Sequence, residues 1–191
     1  MAGNAVVKKG TFTTVNMVLM ALFAAVTCVL APLAVPIGPV PVSLTNLVIY
    51  ISVYVLGWKR GTITYIVYLL IGLAGLPVFS GFEGGIGKFA GPTGGYLVGF
   101  ILTTVICGLF IEKWDRPGAG MIVTNILGMI LGTVAAYAFG TAWFCYSTGT
   151  GVIPALSLCV FPFMIGDLVK MVIAVIAGPV LRKQIRRTGG N

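Results

Sequence analysis

Asp167 and Lys170, in the stretch Gly166-Asp167-Leu168-Val169-Lys170, are the only charged residues lying well inside an apolar run of this chain. Three residues apart, they share one face of a helix. A charge inside a membrane is costly and by default marks a functional site facing the bundle interior. A carboxylate there accepts N–H groups, and an ammonium donates to a carbonyl or a carboxylate, so the pair suits a polar clamp at the bottom of a ligand pocket. The alternative is a buried ion pair that only fixes helix packing, which is a weak source of stability.

A second candidate is Phe79-Ser80-Gly81-Phe82-Glu83-Gly84-Gly85-Ile86-Gly87-Lys88, leading to Gly91-Pro92-Thr93-Gly94-Gly95-Tyr96-Leu97. The Gly87-Lys88 step invites comparison with a nucleotide-binding loop. The comparison fails, because Phe82 stands where the first glycine belongs and Phe89 replaces the hydroxyl residue. The glycines instead allow close backbone approach, as in a lid folding over a ligand. The other reading is a flexible connection. Thr93 is placed to cap a following helix, Gly94, Gly95 and Gly99 give that helix a smooth face, and Tyr96 offers an apolar ring with a polar tip.

Catalysis finds little support. The chain has no histidine and four acidic residues, so paired carboxylates, a nucleophile with its base, or a metal-ligand set are not available in the usual forms. The four cysteines (Cys28, Cys107, Cys145, Cys159) show no CxxC spacing and read as small hydrophobes, supporting neither a disulfide framework nor a zinc site. A binding protein is expected, not an enzyme, and no cofactor or metal.

The elements that must position these residues follow from composition. Of 191 residues, 58% are hydrophobic and only 8% charged, and mean hydropathy is +1.07. A soluble domain carries about a quarter charged residues; this chain cannot cover a water-facing surface and must face lipid. Six apolar runs lie at about 14–34, 43–58, 61–77, 94–112, 119–143 and 156–181, predicting an all-α membrane protein of six spans in one domain. Runs two and three are short for full spans, which leaves a re-entrant segment as an alternative, but the basic step Trp58-Lys59-Arg60-Gly61 between them could not sit in hydrocarbon.

Charge placement sets the orientation. Lys8, Lys9, Lys59, Arg60, Lys113, Arg116, Arg182, Lys183, Arg186 and Arg187, ten of the twelve basic residues, fall on one side if six runs alternate. By the positive-inside rule this side is cytoplasmic, with both termini there; five or seven spans would put the C-terminal cluster outside. The net charge of +8 is therefore topological, and no nucleic-acid partner is expected. The opposite connections are nearly uncharged and rich in Gly and Pro: four prolines from Pro32 to Pro41 and eight glycines from Gly75 to Gly95. Long loops of this kind are usually functional or disordered, and a ligand is expected to enter there. The segment before run one is too polar for a signal peptide's apolar region, so run one is expected to remain as a helix. No sequence repeat is evident. Ala21 with Ala25, and Gly128 with Gly132, have small-xxx-small spacing, suited either to packing within the chain or to docking a partner.

The order of these motifs resembles the BioY family, the biotin-binding S components of energy-coupling factor (ECF) transporters. The resemblance runs from Ala21-x-x-x-Ala25 through Gly38-Pro39-Val40-Pro41-Val42-Ser43-Leu44, Gly75-Leu76-Pro77-Val78-Phe79 and the segment from Gly81 to Leu97 to the closing Gly166-Asp167-x-x-Lys170. It implies an S-component-type bundle in the cell membrane that binds biotin from outside. Release would pass through a transmembrane T component, met by Ala21 and Ala25, and two ATPase subunits. It also implies a biotin site: Asp167 taking a ureido N–H, and Lys170 the ureido oxygen or the carboxylate. Tyr96, Phe79 and the glycine wall including Gly95 enclose the bicycle, and Lys88 or N–H groups near Thr93 hold the acid tail, with Glu83 in the lid. Thr45 stands where family members often carry Gln, which weakens the case for ligand contacts from that loop. A stand-alone secondary transporter for biotin or another small metabolite, and a ligand-free assembly protein, are the competing readings.

Overall fold

Thr13 Oγ1 accepts the backbone N–H of Asn16 at 3.4 Å and so caps α1, Thr14–Leu30. The computed structural model that begins at this cap describes residues 13–35, 40–113 and 119–187. Lys8, Lys9, Gly38, Pro39 and Arg116, all used above, lie outside these residues. After α1 come β1 (Ala34–Val35) and β2 (Val42–Ser43), a short antiparallel ribbon, then α2 (Thr45–Leu73), α3 (Gly85–Ala90), α4 (Gly94–Lys113), α5 (Ala119–Thr148), α6 (Val152–Cys159) and α7 (Phe161–Arg187). Of these, α4, α5 and α7 are long and apolar enough to cross a membrane by themselves.

Runs two and three are joined in α2, but Gly57 breaks it, with φ +81° and ψ 175°. Such a backbone favours glycine. The Trp58 N–H released by the break is taken by Glu112 Oε1 at 3.0 Å. A Cβ placed on Gly61 would lie 3.1 Å from Val53 Cγ2 and 3.4 Å from its Cα. Eight residues of continuous helix would separate them by about 12 Å, so the chain folds back at Gly57 and the halves run side by side. At 1.5 Å per residue they are about 18 and 24 Å long, shorter than the hydrocarbon of a bilayer.

The last run also divides. Where the sequence suggests one run over 156–181, the chain forms α6 and α7, separated at Val160 (φ −126°, ψ −56°). Pro162, which has no N–H to donate, falls in the first turn of α7, where that donor would have no partner in any case.

Small residues draw α4 against α5. A Cβ on Gly95 would meet the Trp143 side chain at 2.2 Å, one on Gly99 the Ala136 Cα at 3.0 Å, and one on Gly132 the Cys107 Sγ at 2.8 Å. Gly128 sits equally close to Phe110, so the Gly128/Gly132 pair packs within the chain. Ala21 and Ala25 are exposed on the outside of α1. Two buried clusters result. The larger gathers Tyr50, Val53, Tyr65, Tyr68, Phe79, Leu97 and Met129 among α2, α4, α5 and α7, and the smaller gathers Val40, Tyr96, Phe144, Ala155, Cys159 and Phe163. The site lies between them.

Candidate ligand-binding site

Asp167 and Lys170 project from α7 toward the start of α2 and the middle of α5, and both are buried. Lys170 Nζ lies 2.8 Å from Asp167 Oδ1. The other carboxylate oxygen, Oδ2, accepts from Asn46 Nδ2 at 3.0 Å and from the Tyr137 hydroxyl. Four residues of three helices thus meet at one carboxylate, and the desolvation cost of burying it is offset by three donors. A carboxylate offers about four acceptor sites and an ammonium three donors. Asp167 therefore keeps about one acceptor position, and Lys170, bonded among the described residues to Asp167, keeps two donors.

One turn further along α2 and α5, the Tyr50 and Thr133 hydroxyls lie 2.6 Å apart, and Thr133 donates to the Met129 carbonyl at 2.7 Å. Asn46 and Tyr50 on α2 and Thr133 and Tyr137 on α5 are each spaced by four residues, so the two faces meet rung by rung. This arrangement holds Asn46 and Tyr137 in place below Asp167.

Above the clamp is a cavity of about 60 Å³. Its walls are Phe79, Tyr96, Phe100 and Phe163, its rim is Val40 to Ser43 with Ser80 and Lys88, and Asn46, Tyr137, Asp167 and Lys170 line its polar end. Six of the eight residues singled out for a ligand come together here: Asp167, Lys170, Tyr96, Thr93, Phe79 and Lys88. Phe79 is fully buried, its ring lying where a Cβ on Gly72 would be. The Tyr96 hydroxyl is turned to Thr141 Oγ1 (3.1 Å) and the Cys159 carbonyl (3.4 Å), leaving its ring as wall. Thr93 immediately precedes α4, and its carbonyl accepts the N–H groups of Tyr96 and Leu97.

The other two are not among the residues lining the cavity. Gly95 faces Trp143 in the α4–α5 contact. Glu83 stands outside the cavity and pairs with Lys88 at 3.0 Å. Conversely, Ser43, Thr45 and Asn46 all line the cavity, so this segment is part of the wall even with Thr at position 45. Asn46 and Tyr137 carried no signal in the sequence beyond being polar groups in apolar runs.

Matching against known families places residues 5–187 in one of them, described as the BioY family. The chain belongs to the BioY family. Among its relatives, a probable biotin transporter BioY of Pyrococcus horikoshii is 39% identical over 158 residues, covering 83% of this chain and 90% of that one. The biotin transporter BioY of Thermotoga maritima is 38% identical over 162 residues, covering 85% and 92%. The crystal structure of the S component for biotin from an ECF-type ABC transporter superposes with a TM-score of 0.79 at 30% identity, over 96% of this chain and 95% of that one. This BioY-family chain is accordingly a multi-pass membrane protein of a transporter family and not an enzyme.

Proposed function

We propose that this chain is the membrane subunit that binds biotin with high affinity, the S component of an ECF-type vitamin uptake transporter. The observation that carries the reading is the buried Asp167 carboxylate, held by Asn46, Tyr137 and Lys170 at the polar end of a cavity with four aromatic rings in its walls. The ureido group of biotin has two N–H donors and one carbonyl. One N–H goes to the acceptor position left on Asp167, and the carbonyl to the donors left on Lys170. The ring walls of Phe79, Tyr96, Phe100 and Phe163 suit the apolar bicycle. Lys88, on α3 at the rim, lies on the side through which the acid tail would project.

The free volume of about 60 Å³ holds a few waters but not a vitamin, given that small-molecule sites run to about 300–1,000 Å³. Entry therefore requires the rim to move outward. The glycine-rich segment from Gly75 to Gly91 and the ribbon at Val40 to Ser43 are the parts able to do so.

Six spans follow if the two halves of α2 count separately beside α1, α4, α5 and α7, with α6 as a short lead-in. The basic residues then place both termini in the cytoplasm. Lacking any nucleotide-binding motif in this chain, uptake draws on a T component and two ATPase subunits, with the exposed Ala21/Ala25 face of α1 as a docking surface for the former. The test is direct. Purified protein should retain biotin detectable by mass spectrometry and bind labelled biotin, and Asp167→Asn and Lys170→Ala should each weaken binding by more than tenfold. Affinity within twofold of the unaltered protein in both variants would end this reading of the clamp.

A further inference from the structure

The lid is built around an ion pair with one end inside the site and the other outside. Lys88 lines the cavity with its side chain 16% exposed, whereas Glu83, its partner at 3.0 Å, is 56% exposed. Glu83 is brought there by a tight reversal: the Phe79 N–H donates to the Glu83 carbonyl at 2.9 Å, and Gly81 and Phe82 between them have φ of +81° and +59°. A bulky residue such as Phe rarely accepts that conformation, so the turn is held in a defined shape rather than left to sample. Lys88 follows in α3, which ends at the cavity mouth.

We propose that Glu83 is a resident competitor for the ligand's carboxylate, holding Lys88 as an exchangeable latch for an anionic tail. This rests on the reading of the cavity as a biotin site and adds the role of a residue that touches no ligand. In the empty site Lys88 would otherwise leave a mostly buried ammonium without a partner, which is costly. Glu83 neutralises it from the solvent side. Because Glu83 is mostly exposed, the bond is weak and cheap to give up. An incoming carboxylate meets the same ammonium from the enclosed side, where water is largely excluded and the attraction is stronger. Lys88 then exchanges one carboxylate for the other, and Glu83 is released to solvent. The exchange selects for a charged tail: a neutral amide in its place cannot displace Glu83 and leaves the latch as it was.

The experiment measures binding of biotin and of biotin amide, which lacks the tail charge, by titration calorimetry on purified unaltered protein, Glu83→Gln and Lys88→Met. An exposed ion pair is worth at most about 1 kcal/mol. Removing the competitor should therefore tighten biotin by about two- to fivefold, while biotin amide binds unaltered protein and Glu83→Gln alike. Lys88→Met should abolish the preference for biotin over its amide. If Glu83→Gln leaves biotin binding unchanged or weakens it, or moves both compounds equally, the latch is overturned while the biotin site stands. If neither compound binds the unaltered protein, the biotin reading fails, and the latch with it.

Discussion

Asn46, at the start of α2, donates its side-chain amide to the Asp167 carboxylate of α7 across 3.0 Å, joining residues 121 positions apart in the chain. The same oxygen receives the Tyr137 hydroxyl from α5. Neither donor is charged, so their effect is on direction: they occupy Oδ2 and leave the carboxylate plane fixed against Lys170 and the cavity. Tyr137→Phe removes one hydrogen bond to a charged acceptor, worth about 1.5–3 kcal/mol, and Asn46→Leu removes the other. Each is expected to weaken biotin binding by about tenfold or more, read by calorimetry, with Asp167 still present. Binding unchanged in both would mean that Asp167 does not need orienting.

Asp167 and Lys170 can be separated as structure and as binding groups. Lys170→Met leaves a buried carboxylate with no cation, a change that costs about 3–5 kcal/mol in comparable buried pairs. Asp167→Asn with Lys170→Met removes both charges together and should recover much of that loss. Thermal unfolding in detergent should rank the double variant above Lys170→Met alone. Biotin binding should be lost in both. A double variant that bound biotin normally would reduce the pair to a packing device.

The contrast between these residues explains what could be read beforehand. Asp167 and Lys170 were legible because a charge in an apolar run has few explanations. Asn46 and Tyr137 were not, because a single Asn or Tyr in such a run is ordinary, and their meaning arises only when α2, α5 and α7 pack. The fold-back at Gly57 was legible as a basic step between two short runs, though its hinge lies one residue before that step and shows itself only in a positive φ. The division at Val160 had a signal in Pro162 that hydropathy alone does not register. Gly95 admits two readings for a physical reason: a small residue beside Tyr96 can serve a ligand or the next helix, and the Trp143 side chain lies against it.

Close glycine contacts give a steric test of the cavity wall. A Cβ on Gly140 would lie 2.4 Å from the Tyr96 ring, so Gly140→Ala must push that ring from its place. Overpacking of this kind costs about 1–3 kcal/mol. At Gly128 the added carbon meets Phe110 at 2.5 Å, among residues that do not line the cavity. Both alanine variants should unfold at lower temperature. Gly140→Ala alone should weaken biotin, by about tenfold, and equal affinity in the two would place Tyr96 outside the binding wall.

Ala21 and Ala25 are exposed on α1 among the described residues, which leaves room there for a larger side chain. Ala21→Leu with Ala25→Leu should leave biotin binding by the isolated subunit intact. Uptake into liposomes containing the T component and ATPases should fall by about tenfold or more, since small residues set how closely helices approach. Undiminished uptake would move the docking surface elsewhere. Sustained uptake by this chain alone, with no ATPase present, would instead favour a self-sufficient transporter.

The proposed six-span arrangement turns on the fold-back in α2, and the contacts there dictate where to probe it. Gly61 is unsuitable for a cysteine, because its Cβ would press on Val53 at 3.1 Å. Lys59 beside it is exposed, and Ile86 in the lid is 73% exposed. Cys28 and Cys145 are the partly accessible native thiols, so both are replaced by alanine before Lys59→Cys or Ile86→Cys is introduced singly. With a membrane-impermeant thiol reagent applied to intact cells, Ile86→Cys should label and Lys59→Cys should label only after the membrane is opened. Bound biotin should slow labelling at residue 86 if the lid closes over it, and leave residue 59 unaffected. Labelling of both from outside would mean that 45–73 does not cross and return, and the charge-based orientation would fall with it.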